Sequence, residues 1–244
     1  MASTPTVIYP LTLPALLNYI LTTQSDTART TLIVCSSRDT FLHNLQHGLQ
    51  HPSEQHGEDA QHLISRLITP TLQNLATARY VKVTFCASVP ALLAYLTAYE
   101  SVGPKRGGSR RATGTGKIVL VNPLSLHAPS PSFSVQGLSK TFAAAVDMAA
   151  RADALLILAE CQRLGHVNEV EDVDMERGEG ESRDVDVEVD PWEQEVSILN
   201  VSAKKFGSGN SDRAWAGRTV KIKRVAARWF HFHKLSVPEG EAPG

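Results

Sequence analysis

"KIVLVNPLSL", residues 117–126, holds an unbroken apolar run from Ile118 to Val121 that stops at Asn122, directly before Pro123. Four such residues are too few for a helix of ordinary length, and an apolar run without polar alternation reads as a strand buried on both faces, the habit of a parallel sheet. Working outward, runs of the same kind recur at "TPTVIYP" (4–10), "TTLIVC" (30–35) and "LLILAEC" (155–161), with an alternating strand at "RYVKVTFC" (79–86). Segments with helical spacing lie between them. "PALLNYILTT" (14–23) carries Leu16, Leu17, Ile20 and Leu21 on one stripe, and "SRDTFLHNLQHGLQ" (37–50) does the same through Phe41, Leu45 and Leu49. "HLISRLITPTLQNLA" (62–76) is interrupted near Pro70, whereas "SVPALLAYLTAYE" (88–100) starts on a Ser88 cap with Pro90 in its first turn. "FSVQGLSKTFAAAVDMAARADA" (133–154) is the longest, with Val135, Leu138, Phe142, Val146 and Met148 or Ala149 on a broad face. Strand and helix in regular alternation predict an α/β protein, its mostly parallel sheet covered on both faces.

The chain has 244 residues and 42% apolar content, enough for one sizeable core, predicted over residues 1–235 with a tail at 236–244. Its 24 basic and 25 acidic residues cancel, so an electrostatic function has to come from local segregation of charge. Residues 101–116 combine glycine, serine and basic side chains without apolar periodicity, as a flexible basic loop does. Residues 169–195 hold thirteen carboxylates and two arginines, a composition that cannot offset the entropy of ordering, and a disordered acidic insertion is predicted over 166–192. Beyond it, alternation in "EVSILNVSAKKF" (195–206) and "RTVKIKRVAARWFHFHKL" (218–235) predicts two antiparallel strands, a C-terminal hairpin closing the sheet's edge. Cys35, Cys86 and Cys161 each end an apolar run and are predicted to be reduced core residues rather than a disulfide framework or a zinc cluster. No basic start followed by an apolar stretch marks a signal peptide, and no run reaches the length of a membrane span, so a soluble protein is expected.

A phosphate-cradling loop requires glycines after a strand, then Lys and Ser or Thr at the helix start. The first strand here runs into "YPLTLPALL" (9–17), which has neither glycine nor lysine and two prolines that remove amide donors. "ATGTGK" (112–117) lacks the leading glycine and precedes a strand rather than a helix. Asn122, at the end of "KIVLVN", offers a neutral carbonyl where an acid would hold magnesium, and is read as a strand-end residue hydrogen-bonding a turn. Both halves of a nucleotide site are missing together. His43, His47 and His51 line one helix face without an accompanying "HExxH" and are read as solvated; His231 and His233 share one face of an edge strand. No "GxSxG" elbow is present. These readings predict no enzyme, no cofactor and no metal.

Two basic stretches stand out as candidate nucleic-acid contacts. The loop "PKRGGSRRATGTGK" (104–117) holds Lys105, Arg106, Arg110 and Arg111; the C-terminal part holds Lys204, Lys205, Arg218, Lys221, Lys223, Arg224 and Arg228. In a strand Lys221 and Lys223 would project from one face, as side chains tracking phosphates do, and Trp215 and Trp229 would add stacking surfaces. The acidic insertion is read as a solvated spacer, with competition for these cations as the other reading.

The order of strands and helices, with "TARYVKVTFCASVPALLAYL" (77–96), "KIVLVN" at the magnesium strand and "ALLILAEC" at the next core strand, resembles the RecA-type core of recombinase paralogues. The resemblance implies a RecA-like mostly parallel sheet flanked by helices, with a C-terminal antiparallel β-hairpin. Among members without nucleotide motifs it points first to Shu-type recombination mediators, in particular the ATPase-like partner of the SWIM-domain protein. That implies a non-catalytic subunit of a nuclear DNA-repair complex, a heterodimer with another mediator subunit that binds single-stranded or branched DNA and promotes recombinase assembly in homologous recombination. The second resemblance is to the RecA-like subunits of Elongator, which implies a transfer-RNA-binding ring.

Overall fold

The computed structural model describes residues 4–24, 28–50, 71–99, 115–161, 190–198 and 218–235, with Ser65 and Thr69. Five apolar segments form strands: β1 (Thr6–Leu11), β2 (Thr30–Val34), β3 (Val81–Phe85), β4 (Gly116–Val121) and β5 (Ala154–Cys161). Together with β8 (His231–Lys234) they make a six-stranded sheet in the order β3-β2-β4-β5-β1-β8, and every pairing within it is parallel.

The two-residue repeat of the strands divides the core. Ile8, Leu32, Val119 and Ile157 pack with Leu13, Leu16 and Ile20 of α1 (Leu13–Thr23), and Phe41 and Leu45 of α2 (Arg38–Gln50) cover the same face. The intervening Val7, Ile33, Ile118, Leu120, Leu156 and Leu158 face the other way. They meet α4 (Val89–Ala98) through Leu92 and Leu96, and α6 (Val135–Ala152) through Leu138, Phe142 and Met148. A short helix, α3 (Leu72–Ala78), leads into β3, and another, α5 (Pro123–His127), follows β4. A mostly parallel sheet flanked by helices is thus the architecture, as the apolar runs predict.

The C-terminal segment departs from its expected course. β6 (Glu195–Ser197) and β7 (Thr219–Lys221) do pair antiparallel, but as a separate two-stranded sheet that does not close the main one. Residues 218–235 are not one strand: α7 (Ile222–Ala226) interrupts them, and the chain returns as β8, parallel to β1. Ile222, Val225 and Ala226 are spaced i, i+3, i+4, all are buried, and α7 packs on α6. Helical spacing of three buried side chains outweighs the alternation that Val220 and Ile222 begin. The end of the acidic stretch also differs from a disordered insertion. Pro191–Glu193 form a turn, and Trp192, 1% exposed, sits edge-on to Phe232 at 5.2 Å.

Between α5 and α6, His127 is fully buried. Its Nδ1 lies 3.2 Å from the Ser132 carbonyl, which only accepts, so Nδ1 carries the proton; Nε2, 2.9 Å from Thr141 Oγ1, accepts from that hydroxyl. Burial pushes its pKa below the ordinary value, against a smaller upward effect of the Ser132 hydrogen bond. A lowered folded-state pKa means that the unfolded chain binds the proton first as pH falls. Stability is therefore full above about pH 6.5 and declines below it, by up to about 1.4 kcal/mol per pH unit until the folded-state value is reached. Urea midpoints at pH 7.5 and 5.5 should fall further apart for the wild type than for His127→Gln, and equal differences would contradict this assignment.

Candidate functional site

At the carboxyl end of β1 a single residue, Thr12, joins strand to helix. Its side chain caps α1, accepting from Ala15 N at 3.4 Å, while its carbonyl accepts from Leu16 N at 3.0 Å. Pro14, in the first turn, has no N–H. The amides of Ala15 and Leu16 are thus committed to the helix, and a one-residue joint has no arc of backbone to wrap around a phosphate.

The neighbouring strand ends are equally committed. Asn122 adopts a left-handed conformation (φ 57°, ψ 44°), which asparagine tolerates better than most residues. Its amide donates to the Ala159 carbonyl at 2.8 Å, and its side-chain Oδ1 accepts from Cys161 N at 2.7 Å. Asn122 therefore clips β4 to β5: its role is structural, as its place before Pro123 suggests, but its side chain bonds the neighbouring strand rather than a turn. Next to it stands Glu160, 3% exposed, whose carboxylate accepts from Leu124 N and Ser125 N, each at 2.9 Å, and from Ser125 Oγ. The sequence reading missed it, because one acid within "LLILAEC" does not disturb an apolar pattern. The available signal was that a carboxylate is almost never fully buried without partners.

Cys35, Cys86 and Cys161 are free and buried at the ends of β2, β3 and β5. Burial pushes all three thiols above their ordinary range, and Glu160 adds to the effect on Cys35 and Cys161, so none is poised as a thiolate nucleophile.

Of the candidate nucleic-acid contacts, Lys105, Arg106, Arg110, Arg111, Lys204 and Lys205 lie outside the described residues, as does Trp215. Arg218, Lys221, Lys223, Arg224 and Arg228 are described, and no Asp or Glu occurs between Arg218 and Leu235. Lys221 and Lys223 are brought together by a shared acid rather than by one strand face. Lys221 Nζ is 2.9 Å from Glu193 Oε2, and Lys223 Nζ is 3.2 Å from Oε1. The hydrogen bond from Lys221, then that from Lys223, holds the Glu193 carboxyl below its usual range. Lys223 Nζ also stands over the rings of Tyr9 and Phe232, at 5.6 and 5.8 Å. Glu193 stands just beyond the predicted 166–192 insertion, within the acid-rich 169–195 stretch, and pairs with both lysines. Arg224 and Arg228 are exposed, four residues apart across the end of α7, and no ion pair engages either among the described residues. Trp229 is half-buried, packing against the core with its indole nitrogen buried, so only part of the ring faces outward.

No family model and no curated protein matches the sequence. Among solved structures, the chain is similar to a chain from a structure of a DnaB-like replicative helicase and its interactions with primase, at 11% identity and a TM-score of 0.32. The match covers 66% of this chain and 38% of that one, and the likeness is too slight to bear on fold or function.

Proposed function

We propose that this chain is a non-catalytic, RecA-like subunit of a nuclear DNA-repair complex, binding DNA and a partner protein to promote recombinase assembly. The observation that carries the non-catalytic half is the Thr12 joint: strand passes to helix through one residue whose neighbouring amides are already bonded. Asn122, bound to Cys161, supports it from the strand where a magnesium carboxylate would stand. The nucleic-acid half is supported by the acid-free run from Arg218 to Leu235, where Arg224 and Arg228 are exposed and Lys221 and Lys223 are held by a half-buried acid. A partner, by resemblance another mediator subunit such as a SWIM-domain protein, finds apolar surface on β3 and the helix leading into it: Val83, Leu75 and Leu72 are exposed, the last by 86%.

Titration of labelled single-stranded DNA, branched DNA and transfer RNA over a salt series tests the reading. Replacing Lys221, Lys223 and Arg224 by Ala should weaken binding about tenfold and lower the log–log salt slope by about 2, since each phosphate contact on a single strand contributes about 0.7. Glu193→Gln should act in the opposite direction by releasing both lysines. An unchanged slope in the triple variant would remove this segment from the interface; preference for transfer RNA over both DNA ligands would favour the Elongator-type alternative.

A further inference from the structure

The parallel sheet has a second edge, where the strands begin. A cleft of about 620 Å³ opens there, at the amino ends of β2, β3, β4 and β5, within the size range of small-ligand sites. Arg29, Arg79, Lys82 and Lys117 line it, and among the described residues no Asp or Glu does. The backbone that presents them is fixed by the sheet: Thr30 N donates to the Tyr80 carbonyl at 2.9 Å, and Lys117 N to the Arg29 carbonyl at 2.8 Å. The inner wall is aromatic. Tyr95 and Tyr99 lie 5.8 Å apart, their hydroxyls paired with Thr84 at 3.3 Å and Thr31 at 3.2 Å, so both rings are held in place. Tyr80 stands partly exposed beside them.

Cations at this edge have a structural use, because helices in such a fold end here and each C-terminus carries about half a negative charge. That use accounts for part of the set only. Lys117 Nζ donates to the Thr23 carbonyl at the end of α1. Arg151, outside the cleft lining, donates to the Leu96 and Tyr99 carbonyls at the end of α4. What remains among the described residues is the ends of α3 and α6 and the exposed Asp153, together about 2 negative charges. Arg29, Arg79 and Lys82 are all exposed, and their three positive charges exceed it. A surplus of positive charge beside the exposed ring of Tyr80 is suited to an anion that carries a flat aromatic group.

We propose that this amino-edge cleft binds one nucleotide unit, its phosphate against Arg29, Arg79 and Lys82 and its base against Tyr80. The unit comes either from a free nucleotide or from a residue of a single strand; only the second form rests on the nucleic-acid reading above. The volume suits one such unit, and aromatic stacking works without regard to base identity.

The test uses the full chain and three probes: adenosine monophosphate and inorganic phosphate by calorimetry, and a labelled oligothymidylate by fluorescence anisotropy. Adenosine monophosphate or the oligonucleotide should bind the wild type, with inorganic phosphate at least tenfold weaker than adenosine monophosphate if the free nucleotide is the ligand. Arg29→Glu with Arg79→Glu should weaken the bound probe at least tenfold, and Tyr80→Ala, which keeps the charges, should weaken it severalfold. Should the double variant unfold, Arg79→Gln alone replaces it, with a severalfold loss expected. Binding of neither probe, or wild-type affinity in these variants, overturns the proposal. Oligonucleotide binding that is lost in the Lys221, Lys223, Arg224 variant yet intact in the cleft variants also overturns it, while leaving the nucleic-acid reading in place.

Discussion

Glu160→Ala should lower the free energy of unfolding by about 3–5 kcal/mol, the range for breaking a buried network and leaving its donors without acceptors. The carboxylate accepts from two backbone amides at the start of α5, those of Leu124 and Ser125, and from the Ser125 hydroxyl. Truncation strands the amides where water is excluded and leaves a cavity besides. Glu160→Gln is a finer probe, since its amide NH₂ turns two donors toward a cluster of donors; about half the loss of the alanine variant is expected on the basis of one acceptor retained. Urea unfolding measures both. A midpoint within error of the wild type for Glu160→Ala would show that the α5 amides find other partners and that this buried acid is dispensable to the fold.

Gly137→Ala should be the second most damaging change, although the same substitution inside an ordinary helix gains roughly 1 kcal/mol. Gly137 lies in the first turn of α6, where an added Cβ would come within 2.1 Å of the Ser132 carbonyl oxygen and 3.0 Å of its carbon. That oxygen accepts from His127 Nδ1 and from Ser134 N at 2.9 Å, and Ser134 caps α6 by accepting from Gly137 N at 3.1 Å. No flexible side-chain end is available to move aside. Relief requires shifting the turn or the helix start, and a loss of about 3 kcal/mol, the upper part of the overpacking range, is expected in thermal or urea unfolding. An equal or higher melting temperature would mean that the turn yields without cost.

The legible part of this fold is the part buried on both faces. Ile118–Val121 and the runs around Val7, Leu32 and Leu156 carry apolar side chains in both directions because helices cover both sides, and such runs survive as a sequence signal. The C-terminal segment was less legible because its elements are too short to establish a period: β7 has three residues and α7 five. The direction of β8 depends on the chain crossing beside α6, a tertiary fact that no local pattern carries. For the candidate site, positive charge at Lys221 and Lys223 was readable, whereas their partner Glu193 was concealed at the end of an acidic stretch read as spacer. The amino-edge cations lay hidden for another reason. Arg29, Arg79 and Lys117 are far apart in sequence, yet each stands within two residues of the first residue of a strand, and parallel strands gather their beginnings at one edge.

The central claim is that this protein acts by adhering to nucleic acid without turning over a triphosphate. Its most direct test is equilibrium binding of single-stranded DNA to the full chain across a salt series in the presence of Mg-ATP, with release of inorganic phosphate followed in the same samples. Saturable, salt-dependent binding without phosphate release is expected. Continuous phosphate release, or the absence of binding at low salt, would contradict the claim.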